Sequence, residues 1–363
     1  MRVAIQGCCH GELHQVFQRV AELHAENPID LLLILGDFQS IRDEKDFQSI
    51  SIPPKYQKYG DFRDYYHDDE LKPSVLTLFI GGNHESMRHL MLLPHGGYAA
   101  RDIYYLGYSN VIWYRGLRIG SLSGIWKKWD FHKDRPSWET LESGQWSSKV
   151  RELYHVRSSD TKPLFMLNGP LDIMMSHDWP NEVVYHGNTQ DLLKWKPFFK
   201  KDIQTHQLGN PISWKLLTHL KPKWWFSAHL HVKYKAIVKH NKRKKKNQDE
   251  VDLDLSSEDE RDDLETVFLA LDKCLPRRQW LEIIDIEPDT THPSFKNKDT
   301  LYWDPEFISN LQTVADQNSI PKVKDAIDWD QYQIPQYVPG IQRQETEQTS
   351  NYNHKFFSNI YNA

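Results

Sequence analysis

Short apolar runs that end in turn-forming and metal-ligating residue types constrain the fold of this chain more than any other feature. Five of them are RVAIQG (2–7), DLLLILGD (30–37), SVLTLFIGGNHE (74–85), LDIMMSHDWP (171–180) and PKWWFSAHLH (222–231). Apolar runs closed by such residues predict buried strands. After the first run, apolar residues recur at helical spacing, at Leu13, Val16, Phe17, Val20 and Leu23. A β-α-β opening followed by further strands predicts an α/β fold.

Three later runs, YKAIVKH, TVFLALDKC and WLEIIDIEP, follow one another without helical patterns between them. We therefore expect them to be neighbouring strands of a mixed or antiparallel sheet. From about residue 287 onward the chain is rich in Pro, Gln and Asn, with one amphipathic stretch at DPEFISNLQTV. This region predicts a small C-terminal appendage.

Residue types that bind metal ions lie at the ends of the first five runs. They are Cys8, His10, Asp37, Asn83, His177, His229 and His231. A single histidine beside a strand is usually structural, but donors at several strand ends meet at one edge of a sheet. Two ions roughly 3.5 to 4 Å apart need about three protein donors each and one bridging carboxylate. In AHLH the two histidines are separated by one residue, so they project to the same side of an extended chain.

Composition narrows the class of protein further. The chain has 363 residues, a net charge of −5 and three cysteines, Cys8, Cys9 and Cys274. Adjacent cysteines rarely form a bridge with each other, so we expect a reducing compartment. No apolar run reaches the roughly 18 residues that span a bilayer, and no signal-peptide pattern precedes the first strand. The composition therefore predicts a soluble intracellular protein.

The ordered motifs GCCHG, GDFQ, GGNHE, SHD and AHLH resemble the metallophosphoesterase pattern over roughly the first 230 residues. Two positions depart from it, Cys8 where the family has Asp and Ala228 where it often has Gly. Cys8, together with GDFQSIRDEKD, SHDWP and FLALDKCLPRRQWLEI, is similar to the RNA lariat debranching enzymes over most of the chain. The resemblance implies an α-β-β-α sandwich of mixed sheets with a small C-terminal appendage.

The resemblance also implies roles for the site residues. Cys8, His10 and His231 would hold one divalent ion, Asn83, His177 and His229 the other, and Asp37 would bridge them. A thiolate among the ligands favours Fe²⁺ or Zn²⁺, with Mn²⁺ also supporting activity. The alternative is that Cys8 is a small buried residue. His84 would be the catalytic acid that protonates the departing oxygen, and the alternative is a histidine that only hydrogen-bonds its loop.

Residues 126–157 are expected to form an inserted recognition loop, because tryptophans and basic residues are mixed there without periodicity. Unstacked RNA bases and phosphates suit such a mixture. The candidate substrate-binding residues are Lys127, Lys128, Trp129, Lys133, Arg135 and Trp138. Trp126 and Trp146 are further candidates for base stacking. Trp113 and Trp126 lie beside strand-like runs and are equally compatible with core positions.

The resemblance implies a hydrolase that cleaves the 2′-5′ branch-point linkage of excised intron lariats to give linear RNA. Its partner would be branched RNA, with no membrane and no obligate protein partner. The alternatives are another metallophosphoesterase, such as a phosphatase or nuclease, and a non-catalytic scaffold of the same fold. Retention of His84 beside a full set of ligand positions argues against the scaffold.

The expected domains are a catalytic domain at residues 1–286 and a C-terminal debranching-enzyme domain at 287–363. A charged loop at about 240–265 contains NKRKKK and then an acidic run, a pattern that cannot bury a face. NKRKKK is compatible with a nuclear localisation signal or with a solvated loop. Because splicing is nuclear, the resemblance favours a nuclear location, with shuttling to the cytoplasm left open.

Overall fold

The five apolar runs each contain a strand in the structure, a computed structural model that describes residues 1–240, 264–315 and 327–340. The strands are β1 Arg2–Gln6, β2 Leu31–Ile34, β3 Thr77–Phe79, β4 Gly97–Ala100, β5 Ile103–Tyr105, β6 Ser109–Tyr114, β7 Leu117–Leu122, β8 Ile173–Ser176, β9 Trp224–Ser227, β10 Tyr234–Lys239, β11 Glu265–Ala270, β12 Leu281–Asp285 and β13 Tyr302–Trp303. Within the described residues they form two sheets, in the orders β12-β1-β2-β3-β5-β4 and β10-β11-β9-β8-β7-β6-β13.

Both sheets are parallel in the middle and antiparallel at their edges. The pairs β1/β2, β2/β3 and β3/β5 are parallel in the first sheet. The pairs β11/β9, β9/β8 and β8/β7 are parallel in the second. Parallel strands carry their carboxyl ends to the same edge of a sheet, so the loops after these strands lie together.

Successive residues of the buried strands pack alternately in a core between the two sheets and in an outer layer, so the two sheets face each other. In β1, Val3 and Ile5 join the core shared with the second sheet, whereas Ala4 faces the opposite side. In β8, Met175 contributes to the shared core and Met174 to the outer layer. Strands that are buried on both faces have nearly continuous hydrophobic sequences, and these runs show that pattern.

Helices cover the outer faces of the sheets. They are α1 Leu13–Glu26, α2 Phe62–His67, α3 Met87–Leu90, α4 Trp138–Thr140, α5 Trp146–Leu153, α6 Ser158–Phe165, α7 Thr189–Trp195, α8 Lys200–Gln204, α9 Pro211–Leu220, α10 Pro293–Lys296 and α11 Pro305–Ala315. Helix α1 packs on the first sheet through its predicted apolar face, and α9 packs on the second. The predicted α-β-β-α sandwich of mixed sheets is confirmed.

The expected neighbouring arrangement of the three late strands is wrong for the third. Strands β10 and β11 pair antiparallel, but β12 leaves them and pairs with β1 in the first sheet. Each residue of β12 except Asp285 is half-buried, because this strand covers an edge. Alternation along the sequence identifies a strand but does not specify its partner.

The region after residue 287 packs against the second sheet. Strand β13 pairs with β6, and the predicted amphipathic stretch forms α11, which packs beside α6. The domain boundary at residue 287 stays a prediction. Most of the expected charged loop falls on residues 241–263, which lie outside the described residues. Among the described residues, no helix is both long and apolar enough to cross a membrane.

Candidate metal centre

Four of the predicted ligands meet where the carboxyl ends of β1, β2 and β9 converge. One donor atom from each of Cys8, His10, Asp37 and His231 lies within 4.8 Å of all the others. The Nε2 atoms of His10 and His231 are 3.1 Å apart, and His10 Nε2 is 3.6 Å from Asp37 Oδ2. Thiol, imidazole and carboxylate donors in one cluster form a set that Zn²⁺ and other transition metals accept.

The other three predicted ligands, Asn83, His177 and His229, lie in loops that contact Asp37 or Cys8. His177 Nε2 is 3.4 Å from Asp37 Oδ1, and the His177 and His229 ring centroids are 5.0 Å apart. The buried atoms Asn83 Oδ1 and His177 Nε2 have no hydrogen-bond partner among the described residues. Buried polar atoms are normally satisfied, so these two orphan atoms, a carbonyl-type oxygen and an imidazole nitrogen, fit a cation-binding role.

Two glycines allow the loops of this centre to approach one another. Gly36 has a φ of 100°, and a Cβ there would lie 2.4 Å from Nδ1 of His177. A Cβ on Gly82 would lie 2.3 Å from Oδ1 of Asp37. The glycines before Asp37 and Asn83 are therefore required by close packing around the bridging carboxylate.

Several ligand residues adopt left-handed backbone conformations. The φ angles are 53° for His10, 49° for Asp37, 61° for His229 and 50° for His231. Non-glycine residues in this region cost free energy and cluster at functional sites. The loops thus adopt unfavourable backbone conformations that direct these side chains toward one point.

The protonation states also suit metal binding. Burial lowers the pKa of His177 to about 4 and that of His231 to about 3. Both imidazoles are therefore neutral near pH 7 and keep a lone pair for a cation. Burial disfavours the ionised form of Asp37, but His177, His84 and His10 outweigh it and hold the pKa of this carboxyl well below its usual value.

Cys8 is fully buried, and its Sγ accepts a hydrogen bond of 3.3 Å from the backbone N–H of His229. Burial and then the charge of Asp37 raise the pKa of the Cys8 thiol well above its usual value. A bound cation is what would hold it as a thiolate. Its neighbour Cys9 packs instead in the apolar cluster beneath α1.

His84 lies at the open side of the centre, with one third of its side chain exposed. Its Nδ1 is 3.4 Å from Asp37 Oδ2, and its backbone N–H donates to Asp37 Oδ1 over 2.9 Å. Burial lowers the pKa of His84, but the hydrogen bond and charge of Asp37 outweigh it and leave the pKa raised. This geometry leaves Nε2 as the nitrogen that can meet a substrate.

Glu85 is a functional residue that the sequence analysis missed. Its buried carboxyl accepts hydrogen bonds from the backbone N–H groups of Phe38 and Gln39, at 2.8 Å, and of Gly82, at 2.9 Å. Burial and the charge of Asp37 raise its pKa to about 8. Glu85 fixes the loop after β2 to the loop after β3, and the final letter of GGNHE was the available signal.

A groove of about 380 Å³ opens beside the centre. Its inner end is lined by His10, His84, His231 and Lys273. Its outer wall comes from the segment between β2 and α2 and includes Phe47, Ile50, Ile52, Pro53 and Tyr56. Neither Lys273 nor this wall was predicted, since the wall has no motif or periodicity.

The predicted insertion packs beside the centre, and its tip is exposed. Lys127, Lys128 and Trp129 are exposed, and 72% of the Trp129 surface is open. The Lys128 ammonium lies 5.6 Å from the Trp129 ring centroid. Lys133 is also exposed, although its Nζ pairs with Asp130 at 3.0 Å. These side chains are available to a ligand.

The inner face of the insertion is structural. Arg135 is held by a bidentate pair with Asp160, at 2.7 and 2.9 Å, and stacks on the ring of Tyr108. This corrects the expectation that Arg135 binds phosphate, because its guanidinium is committed inside the protein. Trp138 is half-buried and packs edge-to-face on the buried Trp146, at 5.2 Å.

Trp113 and Trp126 are both half-buried, so they lie at the edge of the core rather than within it. Trp113 stacks on His292 at 3.7 Å, and its indole N–H donates to Asp304 over 2.8 Å. Trp126 is half-buried, packs against Phe131, and donates its backbone N–H to Asp178, next to His177. The second contact joins the start of the insertion to the metal centre.

Two mixed sheets face each other, and histidine, carboxylate and amide side chains cluster at the edge where their strands end. This arrangement defines a metallophosphoesterase. The family model described as calcineurin-like phosphoesterase matches residues 1–233, and this family implies divalent metal ions. A second model, described as lariat debranching enzyme, C-terminal domain, matches residues 263–360.

Whole-chain relatives specify the family within that class. The lariat debranching enzyme of Saccharomyces cerevisiae is 54% identical over 99% of this chain and 99% of its own length. The lariat debranching enzyme of Homo sapiens is 43% identical, and the match covers 87% of this chain and 54% of the human protein. The lariat debranching enzyme of Arabidopsis thaliana is 40% identical, and the match covers 80% of this chain and 64% of the plant protein. This chain thus spans about half the length of the human relative. It belongs to the lariat debranching enzyme family.

Proposed function

We propose that this protein is a metal-dependent phosphodiesterase that hydrolyses the 2′-5′ branch-point linkage of excised intron lariats and releases linear RNA. The observation that carries the proposal is the ligand cluster at the groove, in a chain related to a lariat debranching enzyme over 99% of its length. The C-terminal match at residues 263–360 supports the same substrate class.

Two divalent ions fit the donors that the chain provides. Cys8, His10 and His231 would hold one, and Asn83, His177 and His229 the other, with Asp37 between them. Bound there, the ions would supply Lewis-acid stabilisation of phosphate charge and an acidified water. The thiol of Cys8 favours Fe²⁺ or Zn²⁺ over harder ions, and Mn²⁺ is the expected substitute.

The protein's own groups orient the reaction. Asp37 holds His84 through the His84 backbone N–H and through Nδ1. The hydrogen bond and charge of Asp37 raise the pKa of His84, which favours the protonated form of the ring. With Nδ1 directed at Asp37, Nε2 can protonate the departing 2′-oxygen at the groove.

The exposed tip of the insertion, at Lys127, Lys128, Trp129 and Lys133, would contact the RNA outside the scissile linkage. An aromatic ring beside ammonium groups suits an unstacked base next to a phosphate. Trp138 lies deeper and would support this tip rather than meet a base. No obligate protein partner is expected.

A nuclear location belongs to the same proposal. It is supported by NKRKKK at residues 241–246, a segment outside the described residues, and by the nuclear origin of intron lariats. Replacing its basic residues with Gln in a fluorescently tagged protein should move the signal to the cytoplasm. An unchanged distribution would contradict this part of the proposal.

The test of the activity uses two matched oligonucleotides that differ only in one 2′-5′ or 3′-5′ linkage. Protein purified without chelator should cleave the 2′-5′ oligonucleotide and leave the other intact. Metal analysis of the same sample should show transition metal bound. Equal cleavage of both linkages would indicate a general nuclease and overturn the proposed specificity.

A further inference from the structure

Lys273 follows a strand whose end was not predicted to contribute to the metal centre. It follows β11, which runs parallel to β9, so the carboxyl ends of both strands lie at the edge that carries the metal centre. Lys273 forms a parallel bridge with Cys8, and the backbone N–H of Cys274 donates to the carbonyl of Cys8 over 3.0 Å. The backbone of Lys273 is therefore fixed beside a candidate ligand.

The side chain of Lys273 is half-buried and lines the inner end of the groove with His10, His84 and His231. Lys273 thus presents a charge where the scissile group of a substrate would lie.

Two carboxylates of this region, one adjacent to Lys273 along the chain and one in the lining of the groove, already have cationic partners. Asp272 pairs with Arg278 at 3.2 Å, and Glu12 pairs with Lys58 at 2.7 Å. Within the described residues, the Lys273 ammonium has no hydrogen bond and no ion pair within 4.0 Å. A half-buried ammonium without an anion is unfavourable, and cations bound nearby would add repulsion.

We propose that Lys273 binds a non-bridging oxygen of the scissile phosphate and so supplies a protein-borne positive charge beside the metal centre. The inference rests on the proposed phosphodiesterase function. A phosphodiester carries one negative charge, which increases on its non-bridging oxygens as the nucleophile attacks. An ammonium already in place stabilises that charge without reorganisation.

This assignment distinguishes Lys273 from the exposed tip of the insertion. Residues that contact flanking RNA matter only for large substrates, whereas a residue on the scissile phosphate acts on every diester. Lys273→Met should therefore lower kcat/KM roughly 10- to 100-fold for both branched RNA and bis(4-nitrophenyl) phosphate, the range for a lost charged hydrogen bond. Lys273→Arg should restore part of the loss, because it keeps the charge.

The experiment measures kcat/KM on both substrates and metal content for wild type, Lys273→Met, Lys273→Arg and the control Lys223→Met. Lys223 precedes β9, at the strand end opposite to His229, and its Nζ pairs with Asp172 at 2.8 Å. This control removes the same charge far from the groove and should match wild type. Metal content should be the same in all four proteins.

Three outcomes would overturn the inference. Unchanged kcat/KM in Lys273→Met would exclude a phosphate contact, and loss on branched RNA alone would place the contact at another phosphate. Loss of bound metal with activity would show that the residue only supports the Cys8 loop. Failure of the proposed function looks different, because wild type would then cleave the small diester but not the 2′-5′ linkage.

Discussion

Asp37 is the residue on which the centre depends. One of its carboxylate oxygens meets His177 at 3.4 Å, and the other meets His84 at 3.4 Å and His10 at 3.6 Å. The Asp37 side chain is only 1% exposed, so solvent ions screen these electrostatic contacts weakly. Asp37 therefore joins both ligand sets and the candidate acid in one electrostatic unit.

The catalytic role of His84 is tested by His84→Ala. We expect turnover to fall roughly 10²- to 10⁴-fold, the usual contribution of a general acid, because Asp37 holds this ring at the groove. Metal content should stay unchanged, since His84 lies outside the ligand cluster. The control His14→Ala removes an exposed histidine on α1 and should match wild type. Loss of bound metal in His84→Ala would make His84 a ligand or a structural residue.

The ligand role of Cys8 is tested by three substitutions. Cys8→Ser should lower the affinity of one ion, because a hydroxyl replaces a thiolate poorly, and Cys8→Asp should restore binding with a preference for Mn²⁺. Cys9→Ser should leave metal preference unchanged, since Cys9 packs beneath α1. The measurement is activity against the concentration of Zn²⁺, Fe²⁺ and Mn²⁺. Identical titrations for wild type and Cys8→Ser would show that Cys8 is only a small buried residue.

At the scale of elements, the centre is the product of parallel strands that end together. Strands β1, β2, β3, β8 and β9 each end beside a predicted ligand, and β11 ends beside Lys273. The Glu85 carboxyl then fixes two of the following loops to each other. The groove is thus built by strand ends on one side and by the irregular segment after β2 on the other.

The insertion should act on RNA recognition through its tip. Trp129→Ala should weaken binding of branched RNA roughly 5- to 100-fold, the range for one lost base stack, and leave hydrolysis of a small chromogenic diester unchanged. This substitution is more selective than deletion of residues 129–148, which would remove Leu141 and Trp146 from their contact with Met87, near His84. An equal loss of activity on branched RNA and on the small diester would show that Trp129 supports the catalytic centre rather than RNA recognition.

The sequence predicted those elements whose signal is local. Strand β1 and Cys8 follow from an apolar run and the residues that end it, and α1 follows from its periodicity. Lys273 was missed because only the pairing of β11 with β9, distant along the chain, brings it to the centre. Arg135 was misjudged for a similar reason, since its partner Asp160 is fixed by tertiary packing rather than by spacing.

At the scale of the whole molecule, the region after residue 287 is tied to the second sheet by a buried ion pair. Asp304 accepts hydrogen bonds from Nε and Nη2 of Arg118, both at 2.9 Å, and from the indole of Trp113. The side chains of Arg118 and Asp304 are 7% and 4% exposed. The C-terminal region therefore contributes to the stability of the catalytic sheets.

Asp304→Ala should lower the free energy of unfolding by about 3 to 5 kcal/mol, because it leaves a buried guanidinium partly uncompensated. Asp285→Ala, which removes an exposed partner of Arg2, should cost about 0 to 1 kcal/mol. Denaturant unfolding of both variants gives the comparison. Equal costs would mean that the C-terminal region is not coupled to the sheet through this pair.

The proposed function requires that a metal centre held by this chain breaks the bond to the branch-point 2′-oxygen. The most direct measurement is product analysis of a synthetic branched RNA, incubated with chelated protein and with protein reloaded with Fe²⁺, Zn²⁺ or Mn²⁺. We expect linear RNA with a free 2′-hydroxyl and a 5′-phosphate, formed only by the reloaded protein. Cleavage at 3′-5′ bonds, a phosphate left on the 2′-oxygen, or full activity of the chelated protein would be incompatible with the proposed function.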